Sequence, residues 1–197
     1  MCNISKLEIL QSIVKTLYDN SIEHGLPHVN RVYKWIIKIV KEEGIDLDPV
    51  LLKLTALLHD IGRYIGEPHA YYSAALAEEL LKESQCGVDF INQVITAVKQ
   101  HSYSYSPGLQ EPSKLGRILS DADKLDALGL IGFLRVFIYG ERRNRSLDYT
   151  MQHFDEKILK LPSFLNYNYS RRVARKYVER VRLLLDMLRE ELAELNS

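Results

Sequence analysis

The chain has 197 residues, 46% of them hydrophobic, and its 26 lysines and arginines are balanced by 26 aspartates and glutamates. That is enough apolar material for one globular core and excludes a disordered chain. A formal charge of zero argues against a nucleic-acid binder that works through bulk charge, and no apolar run approaches the roughly 20 residues that cross a bilayer.

Apolar residues recur at three-to-four spacing almost throughout, and no segment alternates cleanly with period two. The pattern predicts an all-α, single-domain helical bundle of about seven to nine helices. The segments are 4–20, 27–43, 48–60, 68–84, 88–101, 114–139, 147–160 and 168–195. The N-terminus, Met1-Cys2-Asn3-Ile4-Ser5-Lys6, has no signal-peptide pattern, so a cytoplasmic location is expected. Gly25 and Pro27 read as a turn and a first helical position, and Gly44 as a helix stop. Asp48-Pro49 reads as an N-cap followed by proline. Cys86 precedes Gly87 in a turn, and Cys2 and Cys86 are read as free thiols, since two cysteines make no disulfide framework. Residues 102–113, with Tyr103, Tyr105, Pro107, Gly108 and Pro112, break the periodicity and are expected to form a loop bordering a site. The last helix repeats Val173, Tyr177, Val181, Leu184, Leu188, Leu192 and Leu195, a stripe for docking on the body or on a second copy in a homodimer. Arg171, Arg172, Arg175, Lys176, Arg180 and Arg182 in its first half read as a solvated face, with an anion-binding or nucleic-acid surface as the alternative.

The polar residues inside apolar stripes carry the chemistry. His28 lies four before Val32 and eight before Ile36, so its ring faces inward. His59-Asp60 closes the most apolar segment, Val50 to Leu58. His101 follows Ile91, Val94 and Val98, and His69 opens a helix above Ser73, Ala77 and Leu80. Asp123 shares a stripe with Leu119, Ala127, Leu130 and Leu134, while Asp121 is nearer Arg117 and Lys124. An ionised carboxylate in apolar surroundings costs several kcal/mol unless it is paired or bound to a metal. Taken singly, each group also fits a hydrogen-bonded core histidine or a helix-end carboxylate. Together, His28, His59, Asp60 and Asp123 on separate helices suit one divalent cation, with positions left open for water and substrate. This mixed, fairly hard set accommodates Mn, Mg, Fe, Co or Zn and excludes a thiolate zinc site.

The words around these residues are His28-Val29-Asn30-Arg31-Val32, Leu57-Leu58-His59-Asp60-Ile61-Gly62-Arg63 and Ala122-Asp123-Lys124-Leu125-Asp126-Ala127-Leu128-Gly129. They resemble the HD-domain metal-dependent phosphohydrolase superfamily, whose pattern is a His, a His-Asp pair and a later Asp, over about residues 21–140. The Asp-rich string, Ile131-Gly132-Phe133-Leu134-Arg135 and His153-Phe154-Asp155-Glu156-Lys157 are similar to the small single-domain subgroup that includes nucleotide pyrophosphohydrolases. The resemblance implies an all-helical fold, with helices 147–195 packing on the core, and a divalent metal on His28, His59, Asp60 and Asp123. Asp121 is the substitute for the last ligand. It also implies hydrolysis of a phosphoester or phosphoanhydride.

Where some members carry a glutamate after the His-Asp pair, this chain has Arg63 and Tyr64, which leaves Asp60 or Asp126 for acid/base work. His69 and His101 sit where members with two metals draw extra ligands, and the pairing His101-Ser102 disfavours the cyclic-dinucleotide phosphodiesterases. The expected catalytic residues are Asp60, Arg31, Lys124 and Asp126; the expected substrate-binding residues are His24, Arg63, His69 and His101. Tyr103 and Tyr105 are candidates to stack on a base. The expected substrate is a (deoxy)nucleoside triphosphate cleaved to monophosphate and pyrophosphate, with neither membrane nor nucleic acid as partner. The alternatives are a 5′-nucleotidase or cyclic-nucleotide phosphodiesterase with the same site, or a non-catalytic metal-binding signalling module.

Overall fold

The Asn3 carboxamide oxygen accepts from the Lys6 N–H and opens α1 (Ile4–Leu17). In a computed structural model of the chain, residues 2–102 and 111–195 are described. Tyr103, Tyr105, Pro107 and Gly108 of the expected loop lie outside them. Two compact units divide the chain at Asp123/Lys124. Among the described residues there is no strand, so the fold is all-α as expected, and no helix is long and apolar enough to cross a membrane.

In the first unit, Gly25 N-caps α2 (Leu26–Glu42), which ends before Gly44 in the left-handed region at φ +61°. Asp48 accepts from the Val50 N–H at 2.8 Å and Pro49 starts α3 (Pro49–Leu58), as the sequence predicts. A 3-10 turn (Ile61–Tyr64) leads to α4 (His69–Glu83) and α5 (Val88–His101), and then to α6 (Lys114–Asp126), within which the division falls. Helix α3 is apolar on nearly every side because it is the centre, packing against α1, α2, α4 and α5. Leu51, Leu52, Leu54, Leu57 and Leu58 are all buried, each contributing about 1.5–3 kcal/mol. Whatever follows directly on α3 is therefore carried into the core, and His59 and Asp60 follow it. Helices α4 and α5 pack on each other through a short connection, which brings His69 at the start of one beside His101 at the end of the other.

The cysteines correct the expectation of free thiols, for Cys2 and Cys86 form a disulfide with Cα atoms 3.8 Å apart. The Asn3 N–H donates to the Ser84 carbonyl at 3.1 Å and Lys6 Nζ to the Glu83 carbonyl at 3.2 Å. These bonds seat the N-terminus on the α4–α5 connection, a contact between residues 84 apart in sequence that no local spacing reveals.

In the second unit, the predicted helix 114–139 is broken. Helix α6 ends at Asp126 and α7 (Gly129–Arg142) begins at a glycine with φ +71°. A Cβ on Gly132 would fall 2.1 Å from the Ala127 carbonyl oxygen, so only glycine permits the tight corner. The break resets the helical register. Leu130 and Leu134, expected on the inward stripe of Asp123, are each 52% exposed, while Phe133 and Phe137 turn onto Phe154. The segment predicted at 147–160 is α8 (Leu147–Glu156), capped by Ser146, followed by a 3-10 stretch (Ile158–Phe164) that contains Pro162. In α9 (Asn168–Leu195) the buried stripe runs Ser170, Ala174, Val178, Val181 and Leu185. Val173, Tyr177, Leu184 and Leu188 flank it, and Leu195 is exposed.

Candidate metal centre

Four segments of the first unit deliver side chains to one buried point. The turn at Gly25, whose Cβ would meet both the carbonyl and the carboxylate of Asp19 at 2.4 Å, launches α2 so that His28 is fully buried in its first turn. His59 caps α3, and its Nδ1–H donates to the Ala56 carbonyl at 2.7 Å. His101 repeats that arrangement at the end of α5, donating from Nδ1 to the Val98 carbonyl at 2.6 Å. Spending Nδ1–H in this way leaves a lone pair on each Nε2 and fixes where it points. His59 Nε2 lies 3.3 Å from His28 Nε2, and His28 Nε2 lies 3.5 Å from Asp123 Oδ1 on α6.

Asp60 is the hub. Its Oδ2 accepts from Arg63 Nε at 2.6 Å and contacts His24 Nδ1 at 3.3 Å, with His28 and His59 Nε2 at 3.6 and 3.7 Å. Its Oδ1 faces His69 Nε2 at 3.6 Å and His101 Nε2 at 3.8 Å and accepts no hydrogen bond. Burial alone would raise the Asp60 carboxyl, but Arg63 and the surrounding imidazoles hold it well below the usual carboxylate range. Asp123 is likewise held low, chiefly by His28 and His101 against the effect of burial. Burial pushes His59 down to about 3, with His101 and His28 reinforcing it, so that its ring is neutral and its nitrogen available.

The donor chemistry fits a divalent cation. Asp60 Oδ1 and His101 Nε2 are both buried acceptors without a hydrogen-bond partner, facing each other and the lone pair of His59. Acceptors turned toward one another in a dry site cost free energy that a cation removes. Among the described residues three overlapping sets have ligand atoms within 4.8 Å of one another: His28, His59 and Asp123; His59, Asp60 and His101; and His24, His28 and Asp60.

The four ligands proposed from the sequence are thus together, joined by His24 and His101, which sequence reasoning assigned to substrate. His69 and Arg63 line the Asp60 side, with Arg63 Nη2 3.3 Å from His69 Nε2. Arg31 donates from Nη2 to the Ile22 carbonyl at 2.7 Å. Asp121 is buried on α6 but belongs to none of the three sets found among the described residues. Lys124 and Asp126 lie in the second unit, both buried, and the Asp126 carboxylate is held by Arg135 Nη1 at 2.5 Å. Sequence reasoning missed Glu67. Its Oε2 accepts from both the backbone N–H and the Nδ1–H of His69, at 3.0 and 2.9 Å, and so orients that ring. The available signal was an acidic residue two before the first residue of a helix.

The all-helical fold and the paired His-Asp cluster define a metal-dependent phosphohydrolase, and the family model for the HD domain matches residues 25–128, just over half the chain. The chain belongs to that family. Among individual proteins it is similar to the uncharacterized protein YpgQ of Bacillus subtilis, at 27% identity over 96% of this chain and 94% of that one. YpgQ has been solved in complex with ADP, and that structure superposes with a TM-score of 0.77 over 97% of each chain at 22% identity. A Lactobacillus plantarum protein gives 0.81 at 23% identity, over 98% of this chain and all of that one. An HD-superfamily hydrolase of Bacillus thuringiensis gives 0.70 at 26% identity, over 97% of this chain and 98% of that one.

Proposed function

We propose that this chain hydrolyses (deoxy)nucleoside triphosphates to the monophosphate and pyrophosphate, with His28, His59, Asp60 and Asp123 holding a divalent cation. The observation that carries this reading is the buried convergence of two imidazole lone pairs and a carboxylate oxygen that accepts no hydrogen bond. A nucleotide as substrate is supported by the complex of the similar YpgQ with ADP. When bound, the cation supplies a Lewis acid that acidifies water and neutralises phosphoryl charge.

The side chains do the rest. Asp60 orients the water that attacks the α-phosphorus, the proton of that water leaves to solvent, and the α–β anhydride bond breaks to release pyrophosphate. Asp60 is favoured over Asp126 for this work because the Asp126 carboxylate is engaged by Arg135. Arg63, with His24 on the same edge of Asp60, holds phosphoryl oxygens, and Arg31 adds positive charge. His101 offers its Nε2 to the cation, and His69, oriented by Glu67, borders the departing phosphates.

The test is metal analysis of the purified protein, paired with hydrolysis of triphosphates, monophosphates and cyclic nucleotides by wild type and Asp60→Ala in Mn. Monophosphate and pyrophosphate in equal amounts from triphosphates, lost with Asp60, is the expected result. Phosphate release from monophosphates would instead make the protein a 5′-nucleotidase, and bound metal without any turnover would make it a metal-binding module.

A further inference from the structure

The formal charge of zero conceals a segregation. Residues 1–123 hold 12 lysines and arginines against 16 aspartates and glutamates, whereas residues 124–197 hold 14 against 10. The excess in the second unit gathers on the first half of α9, where Arg171, Arg172, Arg175, Lys176, Arg180 and Arg182 are all exposed and Glu179 is the lone acid between them. By helical spacing they form two adjacent rows on the solvent side, Arg171–Arg175–Arg182 and Arg172–Lys176–Arg180.

This array is unfavourable to the helix that carries it. Like charges four residues apart repel, at 171/175, 172/176 and 176/180. The helix has no acid in its first turn, and cations near a helix N-terminus oppose its dipole. The acids nearby do not relieve the strain. Asp126 pairs with Arg135, and Asp155 and Asp186 pair with Arg189, while among the described residues Arg175, Lys176, Arg180 and Arg182 make no ion pair. Folding accounts for Arg171, which donates to the Leu165 carbonyl at 3.0 Å and to Asn168 Oδ1 at 3.4 Å, but not for Arg175, Lys176 and Arg182, and an anionic partner would.

Two features select the kind of anion. Arg172 lies over the Tyr169 ring at 5.4 Å and Arg180 over the Tyr177 ring at 5.6 Å, so two ring-stacked planar cations lie along the helix with the point charge of Lys176 between them. The rows from 171 to 182 span about 16 Å, a length that follows a few phosphates of an extended strand. Alternating charge and flat stacking surfaces match single-stranded nucleic acid, whose bases are free to stack, better than a duplex or an acidic peptide. We propose that the solvent face of α9 between Arg171 and Arg182 is a docking surface for single-stranded RNA or DNA, built from residues of the second unit.

Fluorescence anisotropy of a labelled 20-nucleotide poly-U strand with the full chain tests this, in EDTA and over 50–200 mM salt. Saturable binding that weakens with salt is expected, and Arg175→Gln/Arg182→Gln is expected to lower the slope of log affinity against log salt by about 1.4, at 0.7 per phosphate contact. An otherwise identical DNA strand separates RNA from DNA as the natural source. Circular dichroism and unchanged nucleotide hydrolysis establish that the double variant folds. The surface is disproved by no binding at 50 mM salt, by an unchanged slope in the double variant, or by equal binding of a duplex or of poly-glutamate. Failure of nucleotide hydrolysis in the wild type would leave this binding result standing, since the two readouts share no residue.

Discussion

His59 and His28 point their Nε2 atoms at each other across 3.3 Å, from the end of α3 and the start of α2. Because the Nδ1–H of His59 is committed to the Ala56 carbonyl, its Nε2 arrives as a lone pair, fully buried, beside two carboxylates. Metal binding is therefore linked to folding. Mn²⁺ at 100 times its dissociation constant should stabilise the wild type by about 2.7 kcal/mol, and EDTA should reverse this. In His59→Gln the Mn-dependent gain in thermal midpoint should largely vanish. An equal gain in both proteins, measured by calorimetry, would place the metal elsewhere.

His153 is the one histidine outside this cluster, and its behaviour isolates a pH effect. Half-buried on α8, it is lowered from 6.5 by burial first and then by Lys157 and Arg145. As pH falls through 6.5 the unfolded chain takes up a proton there that the folded chain resists. The stabilising contribution is present above that pH and is lost as pH falls. Urea unfolding at pH 7.5 and 5.5 should therefore show wild type losing more stability than His153→Asn, which has no proton to gain. A stability difference between the two proteins that is flat with pH contradicts this account.

What was legible in the sequence follows from how local its causes are. His59-Asp60 stood out because polar residues at the end of an apolar segment cannot escape burial, and His28 because it sat on a stripe with Val32 and Ile36. The corner at Ala127–Leu128 was hidden because α6 and α7 each keep helical periodicity, and only the left-handed φ of Gly129 separates them. His101 was read as inward-facing, but its meeting with Asp60 depends on how α4 and α5 pack. The Cys2–Cys86 pairing was hidden for the same reason, being a product of tertiary contacts.

That disulfide closes a loop between residues 84 apart in sequence. In the chain-entropy view such a closure contributes about 4.6 kcal/mol by restricting the unfolded state, and measured gains are commonly about 2–4 kcal/mol. Cys86→Ser should lower the stability of the oxidised protein by about that much, and dithiothreitol should bring wild type to the level of the variant. Identical urea midpoints for oxidised wild type and Cys86→Ser would mean that the bond adds nothing.

Gly62 stands between Asp60 and Arg63 and donates its N–H to Ser73 Oγ on α4 at 2.9 Å. A Cβ there would lie 2.3 Å from the Ser73 nitrogen and 2.6 Å from the Tyr72 carbonyl carbon, both backbone atoms that no rotamer change can move aside. Gly62→Ala must push α4 away from the 3-10 turn, at a cost of about 1–3 kcal/mol. The same displacement separates His69, at the start of α4, from Asp60 and Arg63, so hydrolysis should fall and Mn affinity weaken together. Gly44→Ala is the matched control. Its φ of +61° imposes about 1–2 kcal/mol of backbone strain, yet nothing lies within 4 Å of the added methyl. Both variants should unfold earlier, and only Gly62→Ala should lose activity at temperatures where it is still folded. Full activity in folded Gly62→Ala would show that the seat of α4 against the His-Asp turn does not set the geometry of the site.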